Sequence, residues 1–140
     1  MKDIVMSKKE NTMGMNKEWE AVKDFHDKFD HPVSETPVLM AKERAEKRYK
    51  WMLEEIDEFL EATDITEQAD AMIDTIYFAL GTLVEMGVEP EPLFNIVQHA
   101  NMSKLWEDGK PHYNADGKTI KPEGWEDPHE KLKKAIEAMK

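Results

Sequence analysis

Cysteine is absent from the 140-residue chain, which excludes disulfides and thiolate metal sites. Basic residues are scarce: 19 lysines and arginines stand against 30 acids, for a net charge of −11. A binder of DNA or RNA polymers needs a basic footprint, and the chain offers none overall. Long apolar runs are missing too, so neither a bilayer-spanning helix nor a signal-peptide core is expected. These absences point to a cytoplasmic protein in a reducing setting, with no membrane and no nucleic-acid polymer among its partners.

What the chain does have is helical periodicity. Its length suits one compact domain with a real core. Residues 1–15 are polar and aperiodic and read as a flexible leader, leaving 16–140 as a single all-α domain. Trp19, Val22, Phe25 and Phe29 fall on one helical face, and that helix should end before His31-Pro32. Thr36-Pro37 reads as an N-cap with proline at the first helical position, opening a second helix that runs to about Ala62. Asp64 and Glu67 have the spacing of a capping box for a third helix, and Gly87 is suited to stop it. That third helix is apolar nearly all round, from Met72 to Met86, and so should be buried in a bundle or an interface. Pro90 and Pro92 open a fourth helix. Residues 107–126 read as an irregular loop or small hairpin, and a last helix follows Asp127-Pro128. The expectation is an antiparallel bundle of four to five helices.

The acids are where chemistry concentrates. The second helix carries Glu54, Glu55 and Glu58; the third carries Glu67, Asp70 and, one turn on, Asp74. Residues three or four apart share a helix face, and a short connection makes the two helices antiparallel neighbours. Facing positions in such a hairpin keep a constant index sum, which pairs Glu58 with Glu67, Glu55 with Asp70, and Trp51 with Asp74. Carboxylates so arranged repel one another, and a hard divalent cation with oxygen ligands would offset that cost. Mg²⁺ is the first choice and Mn²⁺ the second; either would also reverse the local sign for an anionic substrate. Taken singly, Glu54 and Glu58 could form a solvated stripe near Lys47 and Lys50, and Glu67 could serve only in the cap. Asp70 and Asp74 resist such a reading, because they interrupt an otherwise apolar helix where an unpaired carboxylate is costly.

Asn101 and Lys104 close the fourth helix, and Lys121 lies in the loop beyond. Lysines there can neutralise phosphate oxygens, and Asn101 can hydrogen-bond a sugar or base. A lysine at a helix C-terminus equally complements the helix dipole. His26, His99 and His112 lack ligand spacing and read as structural or surface residues.

At these residues the sequence resembles a known group. Glu54-Glu55-x-x-Glu58 followed by Glu67-x-x-Asp70 is similar to the signature of the all-α nucleoside triphosphate pyrophosphohydrolases. Ala69 through Gly81, with Asn101-Met102-Ser103-Lys104, resembles their MazG-like, phosphoribosyl-ATP pyrophosphohydrolase-like branch. The resemblance spans roughly residues 16–126. It implies a MazG-like helical fold, with Glu55, Glu58, Glu67 and Asp70 as Mg²⁺ ligands. Asp74 would be an additional ligand or a neighbour of the ligands, and Glu54 a base or nearby acid. It further implies hydrolysis of the α–β phosphoanhydride of a nucleotide, giving a monophosphate and pyrophosphate. Asn101, Lys104 and Lys121, read above from their charge and hydrogen-bonding groups, would then be the substrate-binding residues. A homodimer or homotetramer follows both from the resemblance and from the all-round apolar third helix. The rival expectation is a non-enzymatic, acidic helical interaction protein, which would gain no thermal stability from Mg²⁺.

Overall fold

The periodic segments become five α-helices in the computed structural model, which describes residues 14–139. These are α1 (Met15–Lys28), α2 (Lys42–Glu61), α3 (Ile65–Met86), α4 (Pro90–Met102) and α5 (His129–Glu137). No strand forms among the described residues; a lone antiparallel bridge joins Tyr113 and Thr119 in the irregular segment before α5. The all-α expectation therefore holds, irregular loop included. Apart from Gly14 and Met15, the expected leader lies outside the described residues. No single described helix is long and apolar enough to cross a membrane.

The described chain groups into two compact units, one running through Pro90 and the other spanning Glu91–Ala138. In the first, α1 and α2 both pack on α3. Its buried centre is Trp19 and Val22 from α1 with Leu80 and Val84 from α3, flanked by Met15, Val33 and Leu83. The spacing of Trp19 and Val22 explains this contact, since residues three apart occupy one face of α1.

The start of α2 differs from the sequence expectation. The helix begins at Lys42, and Thr36-Pro37 does not cap it. Residues 33–38 instead run beside the end of α3, where Ser34 N–H donates to the Val84 carbonyl at 3.2 Å and Val38 N–H to the Met86 carbonyl at 2.9 Å. The last carbonyls of a helix have no partner within it, and this segment satisfies two of them. Gly87 sits between, left-handed at φ 69°, and a Cβ there would lie 2.2 Å from the Thr36 carbonyl oxygen.

The capping box at the head of α3 forms as expected. Glu67 N–H donates to Asp64 Oδ1 at 2.8 Å, while Glu67 Oε1 accepts from the Thr63 N–H at 2.9 Å. In the second unit, the loop is tied down by its aromatics. Trp106 stacks on His112 at 4.2 Å and donates its indole N–H to Ile120 O at 3.0 Å. Trp125 donates its own to Ala100 O at 2.8 Å.

Candidate active site

The α2–α3 hairpin brings Glu55 into the company of other acids. Its carboxyl is pushed above the usual carboxylate range, first by burial and then by the charges of Glu58, Asp74, Asp70 and Glu54, in that order. Glu55 Oε2 is buried and has no hydrogen-bond partner. A buried acceptor with no donor is costly, and here the nearest groups add negative charge rather than donors. The donor chemistry thus fits a hard divalent cation, which takes carboxylate oxygens readily. Among the described residues, no three His, Asp or Glu side chains converge closely enough to hold a metal ion.

Glu67, expected among the metal ligands, also serves the cap, where its Oε1 accepts from both the backbone N–H and the hydroxyl of Thr63. The α3 carboxylates that act on Glu55 are Asp74 and Asp70, with Asp74 the stronger. One turn separates these two aspartates on the same face.

Glu55 and Asp74 line a cleft of about 450 Å³ together with Trp51, Tyr77 and Phe78. Trp51 stands one turn before Glu55 on α2, and Tyr77 nearly one turn after Asp74 on α3. Arg48, Trp51 and Tyr77 were not singled out from sequence as site residues. The signal was present in the hairpin register, which continues from Trp51 opposite Asp74 to Arg48 opposite Tyr77.

Two of the lining residues, His26 and Arg48, belong to an ion network. Glu85 is buried, and Arg44 grips it through Nε and Nη2, each at 2.8 Å. Arg48 donates to the same carboxylate from Nε at 2.9 Å and again from Nη2. Burial alone would push the Glu85 carboxyl up, but the hydrogen bonds and charges of the two arginines outweigh it and hold the group below its usual range. Arg48 Nη2 also lies 3.2 Å from His26 Nε2, and His26 Nδ1 lies 2.8 Å from Pro32 O. That pair of contacts assigns the proton to Nδ1 and leaves Nε2 as acceptor. Burial foremost keeps the His26 imidazole below its ordinary value of 6.5. Gly81 makes room for all this: a Cβ there would stand 2.8 Å from His26 Nε2 and 3.0 Å from Arg48 Nη1. His26 is therefore structural, as its spacing suggested.

The other expected site residues belong to the second unit. Asn101 is exposed in the last turn of α4, and its carbonyl accepts from Lys104 N–H at 3.1 Å. The Lys104 and Lys121 ammonium groups lie 5.5 Å and 4.8 Å from the ring centre of Trp125. This unit holds a larger cavity, of about 750 Å³, with Glu107, Glu123, Glu126, Glu130 and Lys131 in its lining. Among the described residues, no orphaned carboxylate oxygen accompanies it.

Residues 22–101 match the family model of phosphoribosyl-ATP pyrophosphohydrolase. Among solved structures, the chain is similar to a protein from Exiguobacterium sp. 255-15 named as a candidate NTP pyrophosphohydrolase. The two are 32% identical, and the match covers 86% of this chain and 94% of that one, with a TM-score of 0.49. No curated protein matches the chain. The family model takes in more than half of the 140 residues, including all of α2 and α3 with their acids. On that match, the chain belongs to the phosphoribosyl-ATP pyrophosphohydrolase family of the all-α NTP pyrophosphohydrolase superfamily.

Proposed function

We propose that the protein is a Mg²⁺-dependent nucleoside triphosphate pyrophosphohydrolase, cleaving the α–β phosphoanhydride to release a monophosphate and pyrophosphate. One observation carries this reading: the buried, partnerless Glu55 oxygen among Glu58, Asp70 and Asp74, at the mouth of an aromatic cleft. Glu55, Glu58, Asp70 and Asp74 would hold the cation, joined by Glu67 through the oxygen that its cap does not use. A cation bound there neutralises phosphate charge and favours in-line displacement at phosphorus. Glu54, exposed beside the cluster, is the carboxylate left to orient the attacking water.

A homo-oligomer is part of the same proposal. On α2 and α3, Leu60 and Ile65 are each 81% exposed and Ile73 is 61% exposed. An apolar surface of this kind marks an interface, and a second copy of the chain presents a matching one.

The test is pyrophosphate release from a panel of nucleoside triphosphates with Mg²⁺ or Mn²⁺. Activity should require the cation, and Asp74→Asn should lower kcat/KM by more than about 100-fold. Near-normal turnover by that variant would remove Asp74 from the ligand set. A complete lack of metal-dependent turnover, with no thermal stabilisation by millimolar Mg²⁺, would favour the non-enzymatic interaction protein.

A further inference from the structure

We infer that Asp116 is a site of spontaneous covalent modification, where the Asp116–Gly117 link rearranges through a cyclic imide to an isoaspartyl linkage, while the fold protects the Asp108–Gly109 link. The chain holds two Asp-Gly pairs, both in the segment between α4 and α5. Neither belongs to the acid cluster of α2 and α3, so the modification stands whatever reaction the protein catalyses.

The step needs no co-reactant but water. The Gly117 nitrogen bonds to Asp116 Cγ, and the N–H proton leaves with the carboxyl hydroxyl as water, closing a five-membered imide. Glycine suits this attack because no side chain crowds its nitrogen. Water then opens the ring at either carbonyl. Breaking the new bond restores aspartate. Breaking the old peptide bond frees the α-carboxyl and leaves the chain running through Cβ and Cγ, one carbon longer and unchanged in mass.

The two pairs are matched in backbone. Gly109 and Gly117 are both left-handed, at φ 76° and 78°. Each donates its N–H to a carbonyl three residues back, Gly109 to Trp106 O at 2.8 Å and Gly117 to Asn114 O at 3.0 Å. A Cβ on either glycine would meet nothing within 4 Å, so both turns stand clear of their neighbours. Backbone conformation does not separate the two sites.

Side chains do. Asp108 Oδ1 accepts from Lys110 N–H at 2.9 Å and Oδ2 from His112 Nε2 at 3.0 Å, and His112 is itself stacked on Trp106. The His112 bond foremost holds the Asp108 carboxyl below its usual range. An ionised carboxylate with both oxygens tied resists losing one of them as water, and turning towards Gly109 N breaks both bonds. At Asp116 the donors go elsewhere. Asn114 Oδ1 takes the N–H groups of Asp116 and Lys118, each at 2.9 Å. The exposed Asp116 carboxyl has no hydrogen bond or ion pair among the described residues. Its rearrangement would lengthen the turn that the Tyr113–Thr119 bridge closes.

Ageing the full chain at neutral pH and body temperature, then mapping its peptides by mass spectrometry, tests the site. Isoaspartate shows as a peptide of unchanged mass and altered retention, and an isoaspartyl methyltransferase with S-adenosylmethionine labels it. It should form at residue 116 at least about tenfold faster than at residue 108, the scale set by one charged hydrogen bond. His112→Ala should speed the reaction at 108 more than at 116. Asp116→Glu, which would need a six-membered ring, should remove the main product. In guanidinium chloride, where the fold is lost, the two sites should react at comparable rates. Equal rates in the folded protein would overturn the inference, and so would a preference for 116 that survives unfolding or an unchanged rate at 108 in His112→Ala. Absence of isoaspartate at 116, over a period in which the unfolded chain forms it, would overturn it as well, because the Gly117 hydrogen bond would then be protective.

Discussion

Glu55 is under opposing demands. Burial and the neighbouring acids raise its folded-state pKa. Its contribution to stability is thus present below the ordinary carboxylate range and lost as pH rises through the folded value. Above that value the ionised group weakens the metal-free fold. Glu55→Gln should therefore raise the thermal midpoint of the metal-free protein at about pH 7, abolish the stabilising effect of Mg²⁺, and cost more than about 100-fold in kcat/KM. A lowered midpoint in calorimetry would count against the strained-acid account. Glu85 is the reverse case, a buried carboxylate that two arginines require. Glu85→Ala leaves Arg48 charged and uncompensated in the interior and should cost about 3–5 kcal/mol in urea unfolding. The acids of α2 and α3 were legible in sequence because their spacing of three and four places them on one face. The ion network was not: Glu85 and Arg48 are 37 positions apart, and no local pattern links them. The two roles open to Glu67 were visible as well, but only the fold shows Thr63 taking its carboxylate.

At the scale of elements, the helix ends were the most readable features where the cap is local. Asp64 with Glu67 and Gly87 needed only their own neighbours, and both ends fall where expected. Thr36-Pro37 misled because its segment is recruited by the distant end of α3, whose carbonyls need donors. A local signal was overridden by a partner some fifty residues away. The same contact makes Gly87 intolerant of change. Gly87→Ala would place a Cβ against the Thr36 carbonyl as well as in left-handed backbone, and should cost well over about 1 kcal/mol. Chemical unfolding measures this; a loss of only a few tenths would mean that residues 33–38 shift freely. The aromatic cleft was invisible for a related reason. Trp51 and Tyr77 each look like ordinary core residues until the hairpin register sets them beside Glu55 and Asp74.

For the molecule as a whole, pH should act through His26 on the acid side. Its folded-state pKa lies below 6.5, so its contribution is complete above that value and is lost as pH falls through the folded one. The groups facing it include Arg48, Glu85 and His31, and both Arg48 and His31 oppose its protonation. Thermal midpoints should fall between about pH 7 and pH 5, more steeply in the wild type than in His26→Gln. Parallel curves would exclude His26 as the cause. The exposed apolar residues of α2 and α3 make a prediction of their own. Light scattering at micromolar concentration should find a dimer or tetramer, and Ile73→Lys should shift it towards monomer. A monomeric wild type would refute the shared interface. The network of His26, Arg48 and Glu85 also bears on the rate at which the fold is lost. It draws on α1, α2 and α3 across separations of 22 and 37 residues, so closing it has to wait until the three helices have met. Interactions that form after the folding barrier chiefly govern the escape rate from the native state. The network thus acts as a late latch, setting how long a folded molecule survives more than how fast it forms.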